Sequence, residues 1–411
     1  MLWGRRRFML TAIKKDGTWI TLPEKMPANL LKQLRRSGKY YCPCCKSEMS
    51  IKAGEVRIPH FAHKNNHSCH ASSEPESAYH LSGKRKLFQW FLSHDYQVEL
   101  EAYLPDIKKR TDVLATVGGI RYAIEFQCST IPEIEFINRT EAYRSMGIKP
   151  IWILAANCLK RKNKHEFQLS DFQWLFVTGS CQHPFLWMFC PESNRLSALK
   201  NLTPFSPRTV FAELTTAPLK FLSPHKLLPR KCSSFPFLPA WRQKRKNWCL
   251  HVVKNARKGD PFLKGLYLHR LAAATIPVEI GLPVKGMLLI KTAAVEWQAW
   301  IYMDVFGKKR PGEMIYMKDV IRHFRNHART GKIKFRTLPL LHDKSAEYPL
   351  RQHLLLLENM GYIMKVAEGE FTVEKRMSIP SNSEEGQMLE ETFYHEHKLM
   401  IEKGNIQYNE G

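Results

Sequence analysis

Residues 110–127 have the pattern of a tight β-hairpin, and this pattern determines which strands and helices can form around it. Two apolar runs, RTDVLATV and IRYAIEFQ, flank a Gly-Gly pair, a combination that is typical of a two-residue β-hairpin turn. Pairing the two runs symmetrically about the glycines places Asp112 opposite Glu125. Because side chains alternate along a strand, Val113 and Phe126 face the other side, toward the core. The sequence therefore predicts two carboxylates side by side, next to an apolar core.

Helix and strand patterns surround this hairpin. Apolar residues recur at helical spacing from Glu74 to about Ser93, and the run VELEAYL that follows is typical of a strand. Pro132 begins a second predicted helix that continues to Met146, and residues 150–156 form a buried-strand pattern. The order helix, three strands, helix, strand predicts a mixed α+β or α/β core in residues 73–160.

A pair of adjacent carboxylates predicts a metal site. The two charges repel each other and are costly to bury unless a cation neutralises them. Mg²⁺ or Mn²⁺ takes oxygen ligands and can activate water for phosphodiester hydrolysis, and Gln127 lies on the same strand face as Glu125. The first helix carries a polar stripe at spacing i, i+4 and i+8, formed by Glu76, His80 and Lys84. This stripe is either a solvated, ion-paired surface or a set of catalytic groups beside the carboxylates.

Residues 1–72 contain a second metal motif. They include a β-hairpin pattern around Asp16-Gly17, then CPCC, HFAH and a further cysteine. A Cys-x-x-Cys pair followed by a His and a Cys can complete a tetrahedral structural zinc site. The predicted ligands are Cys42, Cys45, His63 and Cys69, with His60 or Cys44 as substitutes. The alternative is a set of buried thiols and loop histidines without a metal.

Composition restricts the functional class. The 411 residues include 63 Lys plus Arg against 38 Asp plus Glu, a net charge of +25, which predicts a polyanionic partner. No apolar run approaches the ~20 residues that span a bilayer, and no secretory signal is recognisable at the start. We therefore expect a cytoplasmic protein without a membrane span. The chain has no Walker loop, dinucleotide fingerprint or Gly-x-Ser-x-Gly elbow, which argues against ATPases, dehydrogenases and serine hydrolases.

The charge is unevenly distributed. Residues 160–260 contain 18 Lys plus Arg against 5 Asp plus Glu, a net of +13, and seven prolines between Pro204 and Pro239 predict an extended or loop-rich connector. Residues 368–411 contain 10 acidic and 4 basic residues, a net of −6. They predict a flexible, solvated tail.

Two groups of residues are candidates for DNA contact. Residues 241–248 interleave aromatic and cationic side chains, which suits single strands because bases stack on indoles while cations neutralise phosphates. The alternative is a surface loop of ion-paired cations. The candidates in this segment are Trp241, Arg242, Lys244, Arg245, Lys246 and Trp248. Near the carboxylates, the candidates for phosphate contact are Arg110, Arg121, Arg139 and Tyr143; the alternative there is solvated charges and a tyrosine at the edge of the core.

The arrangement of helix, hairpin Asp and Glu-x-Gln is similar to the PD-(D/E)XK nuclease superfamily. In order along the chain, the motifs HFAH, ESAYHLSGK, RTDVL and IEFQCS, with the helix that contains Arg139 and Tyr143, resemble the CoiA family of bacterial competence proteins, in its Bacillus-type form. The resemblance implies that Asp112 and Glu125 are metal ligands and that Glu76 is a helix-borne ligand or water-orienting group. It also implies a restriction-endonuclease-like core and a role in handling internalised single-stranded DNA, upstream of or alongside recombinase-driven strand exchange.

Two departures from the superfamily pattern bear on catalysis. Thr111 replaces the proline before Asp112, and Gln127 replaces the superfamily lysine. A neutral amide cannot stabilise developing negative charge as an ammonium does. Lys84, reaching from the helix, could take the place of that lysine.

Together these observations predict five segments and a function. The segments are an N-terminal zinc module (1–72), a nuclease-like core (73–160), a basic proline-rich segment with extra strands (161–246), a mainly helical domain (247–377) and an acidic flexible tail (378–411). The predicted function is metal-dependent cleavage of single-stranded or branched DNA during transformation and recombination, with recombinase and other competence proteins as partners. The first alternative is a nuclease-fold adaptor that binds DNA and cuts poorly or not at all. The second is a zinc-dependent sequence-specific regulator, for which no helix-turn-helix is evident.

Overall fold

The computed structural model describes residues 8–23, 26–54, 58–64, 69, 77–227, 235–342 and 345–404. By its internal packing the chain divides into two units. The first contains residues 1–158, 186–198 and 215–230, and the second contains residues 159–185, 199–214 and 231–411. No helix among the described residues is long and apolar enough to cross a bilayer.

The described strands are β1 (Phe8–Met9), β2 (Thr11–Lys14), β3 (Trp19–Thr21), β4 (Tyr40–Tyr41), β5 (Glu48–Lys52), β6 (His60–His63), β7 (Gln97–Leu100), β8 (Tyr103–Leu104), β9 (Lys109–Arg110), β10 (Val113–Val117), β11 (Ile120–Gln127), β12 (Lys149–Ala155), β13 (Lys160–Arg161), β14 (Glu166–Gln168), β15 (Thr178–Gly179), β16 (Pro184–Cys190), β17 (Arg195–Pro204), β18 (Thr209–Pro218), β19 (Met314–Tyr316), β20 (Ile363–Ala367) and β21 (Glu370–Val373). The described α-helices are α1 (Ala28–Arg36), α2 (Ala78–Leu92), α3 (Glu133–Ser145), α4 (Asp171–Trp174), α5 (Leu238–Asn255), α6 (Pro261–Leu268), α7 (Ala294–Asp304), α8 (Met317–Arg329), α9 (Tyr348–Asn359) and α10 (Ser383–Gly404).

The first unit begins with a small sheet of six strands in the order β1-β6-β5-β4-β2-β3. The predicted hairpin around Asp16-Gly17 is present between β2 and β3. Gly17 has φ +84°, a left-handed conformation that glycine adopts without steric strain. The Asp16 carboxylate accepts a hydrogen bond from the Thr18 amide at 2.9 Å, which closes the turn. This sheet carries the cysteine-rich loop.

The core of the first unit is a sheet with a helix on each face. Strands β7, β10 and β11 are antiparallel neighbours, and β11 pairs in parallel with β12 through the crossover helix α3. Side chains of α2 pack with Val113 and Phe126 on one face. On the other face, Tyr143 of α3 packs with Leu114 and Ala123. The predicted hairpin, the two helices and the strand after α3 are therefore confirmed, with α2 beginning at the Ser77 cap.

The contact between α2 and β11 is closest at Gly83. A Cβ atom at this position would lie 2.0 Å from Cε1 of the Phe126 ring. Both residues are fully buried or nearly so, so the ring has no free space into which to move. Only glycine lets the helix approach the strand this closely, and the same turn of the helix holds His80 and Lys84.

We expect Gly83→Ala to lower the free energy of unfolding by about 1–3 kcal/mol, because overpacking outweighs the usual gain of alanine in a helix. Gln89→Ala, at an exposed position of the same helix, is the matched control and should change stability little. Chemical denaturation of both variants checks this. A Gly83→Ala protein more stable than the wild type would show that the helix can shift without loss.

Two long strands occur in the proline-rich segment, β17 and β18, and they end at Pro204 and Pro218, because proline can end a strand where no further amide is needed. The tail differs from its prediction. Instead of being flexible and solvated, it contains helix α10, whose Phe393, Tyr394 and Ile401 are buried in the core of the second unit. The prediction rested on the high charge of the tail and did not take these apolar positions into account. Residues 405–411 lie outside the described part of the chain.

Candidate active site and metal centre

The two predicted carboxylates lie next to each other. The hairpin register pairs Val113 with Ile124, which brings Asp112, one residue before β10, opposite Glu125. Side chains directly opposite in an antiparallel pair have Cβ atoms about 5 Å apart. Asp112 Oδ2 accepts hydrogen bonds from the Phe126 amide at 2.9 Å and from His80 Nε2 at 3.2 Å. Both carboxylates are almost fully buried.

Lys84 of α2 is fully buried, and its ammonium lies beside Asp112. Its Nζ lies 2.6 Å from Oε1 of Glu101 and 3.7 Å from Oδ1 of Asp112. Burial disfavours the charged form of Asp112, but the charges of His80 and Lys84 outweigh it and hold the pKa of this carboxyl well below its usual value. Asp112 is thus ionised and surrounded by donors from α2.

Glu101 is a member of this site that sequence reasoning missed. Because β7 pairs Leu100 with Val113, Glu101 lies opposite Asp112 on the side away from Glu125, and its amide donates to the Asp112 carbonyl at 2.8 Å. Three acidic residues therefore lie side by side across three strands. Glu101 is the second glutamate of the predicted strand VELEAYL. The register of β7 on β10 could not be predicted, because the small β8–β9 hairpin interrupts the connection between them.

Glu125 is held from the other face by α3. Tyr143 donates its hydroxyl to Oε1, and Arg139 Nη2 lies 2.7 Å from Oε2. Burial, together with the neighbouring Asp112 charge, raises the pKa of Glu125 to about 7, although the Arg139 guanidinium acts in the opposite direction. Arg139 also donates to the Arg110 carbonyl at 3.1 Å. Tyr143, which is fully buried, orients the carboxylate and is not available for a phosphate.

The remaining candidates near the carboxylates lie in different positions. Gln127 ends β11 on the Glu125 face, and its Nε2 donates to the Ser129 carbonyl at 2.9 Å. Arg110 is buried. Arg121 is exposed beside the hairpin turn, four residues from Glu125 along β11, or about 13 Å by the rise of a strand; the structure does not bring it to the pair. Glu76 lies outside the described residues.

In segment 241–248 two of the predicted DNA-contact residues are buried. It lies within helix α5, and residues four apart share one face of a helix. Trp241 is therefore fully buried and donates to the Gly281 carbonyl, while Arg245 is buried and donates to the carbonyls of Ile276, Pro277 and Ile280. Neither can stack on or contact DNA.

The other residues of that segment have mixed environments. Lys244 pairs with Glu166 at 2.6 Å, and Arg242 lies over the Tyr394 ring at 4.6 Å. Trp248 is half-buried and packs edge-on against Phe262. Lys246 is exposed. Of the six candidates, Lys246 is thus the most open to a phosphate.

The four predicted zinc ligands come together. Ligand atoms of Cys42, Cys45, His63 and Cys69 all lie within 4.8 Å of one another, and no other such group of three or more occurs among the described residues. Cys42 Sγ is 3.8 Å from Cys69 Sγ, and Cys45 Sγ is 3.3 Å from His63 Nε2. Two thiolates bound tetrahedrally to one zinc ion would lie about 3.8 Å apart. The cluster could hold a metal such as zinc.

The two substitute ligands have other environments. His60 Nδ1 donates to the Ile58 carbonyl at 2.8 Å, the local hydrogen bond expected for a histidine outside the cluster. Cys44 is not a member of the four-residue group. The Cys44 and Cys69 thiols, together with burial, raise the pKa of Cys42 far above its usual value. A buried thiol such as that of Cys42 ionises readily when a cation binds it.

The carboxylate pair offers a different donor set. It contains hard oxygen atoms and no sulfur, and Mg²⁺ commonly binds one or two carboxylates and completes its shell with water and substrate phosphate. Asp112 and Glu125 fit such an ion. Their existing partners also neutralise them in part, because Lys84 and Arg139 each lie within 4 Å of one carboxylate.

Comparisons with known proteins agree with this architecture. Three family models match in order and describe the N-terminal domain (residues 23–72), the nuclease-like domain (residues 76–232) and the C-terminal domain (residues 237–386) of competence protein CoiA. The protein named Competence protein CoiA from Bacillus subtilis (strain 168) is 30% identical over 321 residues, which cover 74% of this chain and 82% of that protein. No solved structure matches the chain. These matches extend over most of its length, and the chain therefore belongs to the CoiA family of competence proteins.

Proposed function

We propose that this protein is a divalent-metal-dependent nuclease that cuts single-stranded or branched DNA during transformation and recombination. The observation that supports this best is the buried pair of Asp112 and Glu125, with Lys84, His80 and Arg139 directed at it from both faces of the sheet. Buried carboxylates with shifted pKa values and cationic neighbours cluster at functional sites, and carboxylates can hold a metal ion that assists phosphodiester hydrolysis.

The side chains around the carboxylate pair would divide the work of metal binding, charge stabilisation and orientation. A bound Mg²⁺ or Mn²⁺ would neutralise phosphate charge and lower the pKa of a bound water. Asp112 and Glu125 would hold that ion, and His80 would orient Asp112 through its hydrogen bond. Lys84 would supply the positive charge that Gln127 lacks, since its ammonium lies within 3.7 Å of Asp112. Arg139 and Tyr143 would orient Glu125. We further propose that zinc bound by the cysteine cluster is structural and that the protein acts in the cytoplasm.

A second candidate is supported by a specific contact. Both oxygens of Glu125 already have partners on α3, Arg139 and Tyr143. A carboxylate neutralised in this way does not require a metal, so the fold could serve as a non-catalytic adaptor that binds DNA and assists a recombinase. The adaptor would bind the same DNA without cleaving it.

A metal-titrated cleavage assay separates the two functions. The zinc-loaded full chain is incubated with labelled single-stranded, duplex and branched DNA over a range of Mg²⁺ and Mn²⁺ concentrations. The nuclease proposal expects cleavage that depends on the divalent ion and favours single-stranded or branched substrates. DNA binding without cleavage by either ion, on all three substrates, would support the adaptor instead.

DNA affinity should depend steeply on salt. With a net charge of +25, binding releases counterions from the phosphates, so affinity for single-stranded DNA should fall at least about tenfold between about 50 and about 200 mM salt. Fluorescence anisotropy of a labelled oligonucleotide measures this. A flat salt response would contradict a phosphate-binding role for the surplus charge.

A further inference from the structure

Glu101 has a carboxylate that is fully occupied by the protein itself. Its Oε2 accepts three hydrogen bonds from the N-terminal sheet, from the Leu10 amide (2.9 Å), the Thr11 amide (3.0 Å) and the Thr11 hydroxyl (2.9 Å). Its Oε1 receives the Lys84 ammonium at 2.6 Å. With these four hydrogen bonds from described residues and no exposed surface, Glu101 is not placed to bind a metal or DNA.

The backbone of Glu101 is strained. Glu101 has φ +53°, a left-handed conformation that costs a residue with a side chain roughly 1 kcal/mol or more. The same backbone turn lets its amide donate to the Asp112 carbonyl. The strain and the four donors together fix the carboxylate beside Lys84 and beside the strand that carries Asp112.

Lys84 lies between the carboxylates of Glu101 and Asp112 and is closer to Glu101. Its Nζ is 2.6 Å from Glu101 and 3.7 Å from Asp112, so its charge is paired mainly with Glu101. If Glu101 were removed, the Lys84 ammonium would move toward Asp112, the other carboxylate within 4 Å of it among the described residues, and form a direct ion pair there. A cation bound in this way competes with any metal for the same oxygen atoms.

We propose that Glu101 is a positioning residue, which keeps Lys84 off Asp112 so that Asp112 can bind a divalent cation while the ammonium stays close to the bound phosphate. The N-terminal sheet takes part, because Leu10 and Thr11 supply three of the four donors that hold Glu101. Met9, the residue before Leu10, lies 3.9 Å by its Sδ from Cys42 Sγ, which connects this sheet to the cysteine cluster. The assignment rests on the proposed metal site at Asp112 and Glu125.

The test measures Mn²⁺ affinity by electron paramagnetic resonance, in the zinc-loaded full chain and without DNA. The Asp112-dependent site is defined as the binding that Asp112→Asn removes. Glu101→Gln should weaken this site at least about tenfold. Adding Lys84→Met to Glu101→Gln should restore the affinity, because the competing cation is gone. Glu99→Gln, an exposed glutamate two residues away, is the control and should bind as the wild type does.

The Mn²⁺ affinities of the single and double variants decide whether Glu101 has this role. Wild-type affinity in Glu101→Gln overturns it, as does a double variant that still binds at least about tenfold more weakly than the wild type. Where Glu101→Gln does not fold, the double variant alone decides, since removing both members of a buried ion pair leaves no unpaired charge. An Asp112-dependent site that responds as expected in a protein that cuts no DNA would support Glu101 and refute the nuclease. The absence of such a site refutes both.

Discussion

Asp112→Asn is expected to reduce the rate of divalent-ion-dependent DNA cleavage by at least about 10³-fold. The substitution keeps the size of the side chain but removes the charge that binds a cation. It also changes the partner of His80, which lies 3.2 Å from Oδ2. Affinity for single-stranded DNA should change less than about threefold, because phosphate binding depends on the many cations of the chain. Single-turnover cleavage and anisotropy measurements give the two quantities separately.

The matched control for this variant is Asp106→Asn. Asp106 is exposed in the connection between β8 and β9, and losing its charge should leave cleavage close to the wild-type rate. If Asp112→Asn cleaves within about tenfold of the wild type, the carboxylate pair is not the cleavage site. If both rate and affinity are lost together, Asp112 supports the fold or the DNA surface and the division of roles proposed here is wrong.

Loss of a zinc ligand is expected to unfold the N-terminal module. Structural zinc contributes on the order of 10 kcal/mol to the folding of small domains, and the small apolar cluster of this module includes Cys42 and Cys69 themselves. Cys45→Ser should therefore lower bound zinc from one equivalent toward none and lower the thermal stability of the module. Plasma mass spectrometry measures the zinc, and calorimetry measures the unfolding.

Cys44→Ser provides the control for the zinc prediction, because Cys44 is adjacent in sequence but outside the group of four. It should keep its zinc. If Cys44→Ser loses zinc and Cys45→Ser keeps it, the ligand set is wrong in one member. If neither loses zinc, the cysteine cluster is not the binding site, and if the wild type binds none, the thiols are structural without a metal.

The central hairpin could be predicted because its register follows from local chemistry. A Gly-Gly turn between two apolar runs leaves one pairing of Asp112 with Glu125, and the structure has that pairing. The substitution of Thr111 for the superfamily proline also has a physical explanation. The Thr111 amide donates to the Ala102 carbonyl at 3.0 Å, a bond that proline could not make.

The parts that could not be predicted depend on contacts distant in sequence. Glu101 joins the site through Leu10 and Thr11, about ninety residues earlier, and no local pattern predicts that pairing. Arg139 and Tyr143 were predicted as phosphate ligands, but α3 directs both to Glu125. In segment 241–248 the alternation of aromatic and cationic residues suggested a surface, whereas helical periodicity puts Trp241 and Arg245 on a buried face.

An anomalous difference map from crystals of the zinc-loaded protein soaked in Mn²⁺ would locate a divalent ion at the carboxylates. We predict a manganese peak within about 2.5 Å of an oxygen of both Asp112 and Glu125. Manganese found only elsewhere, with Arg139 and Tyr143 still bound to Glu125 and Lys84 still beside Asp112, would contradict the proposal that these two carboxylates form a metal-dependent cleavage site.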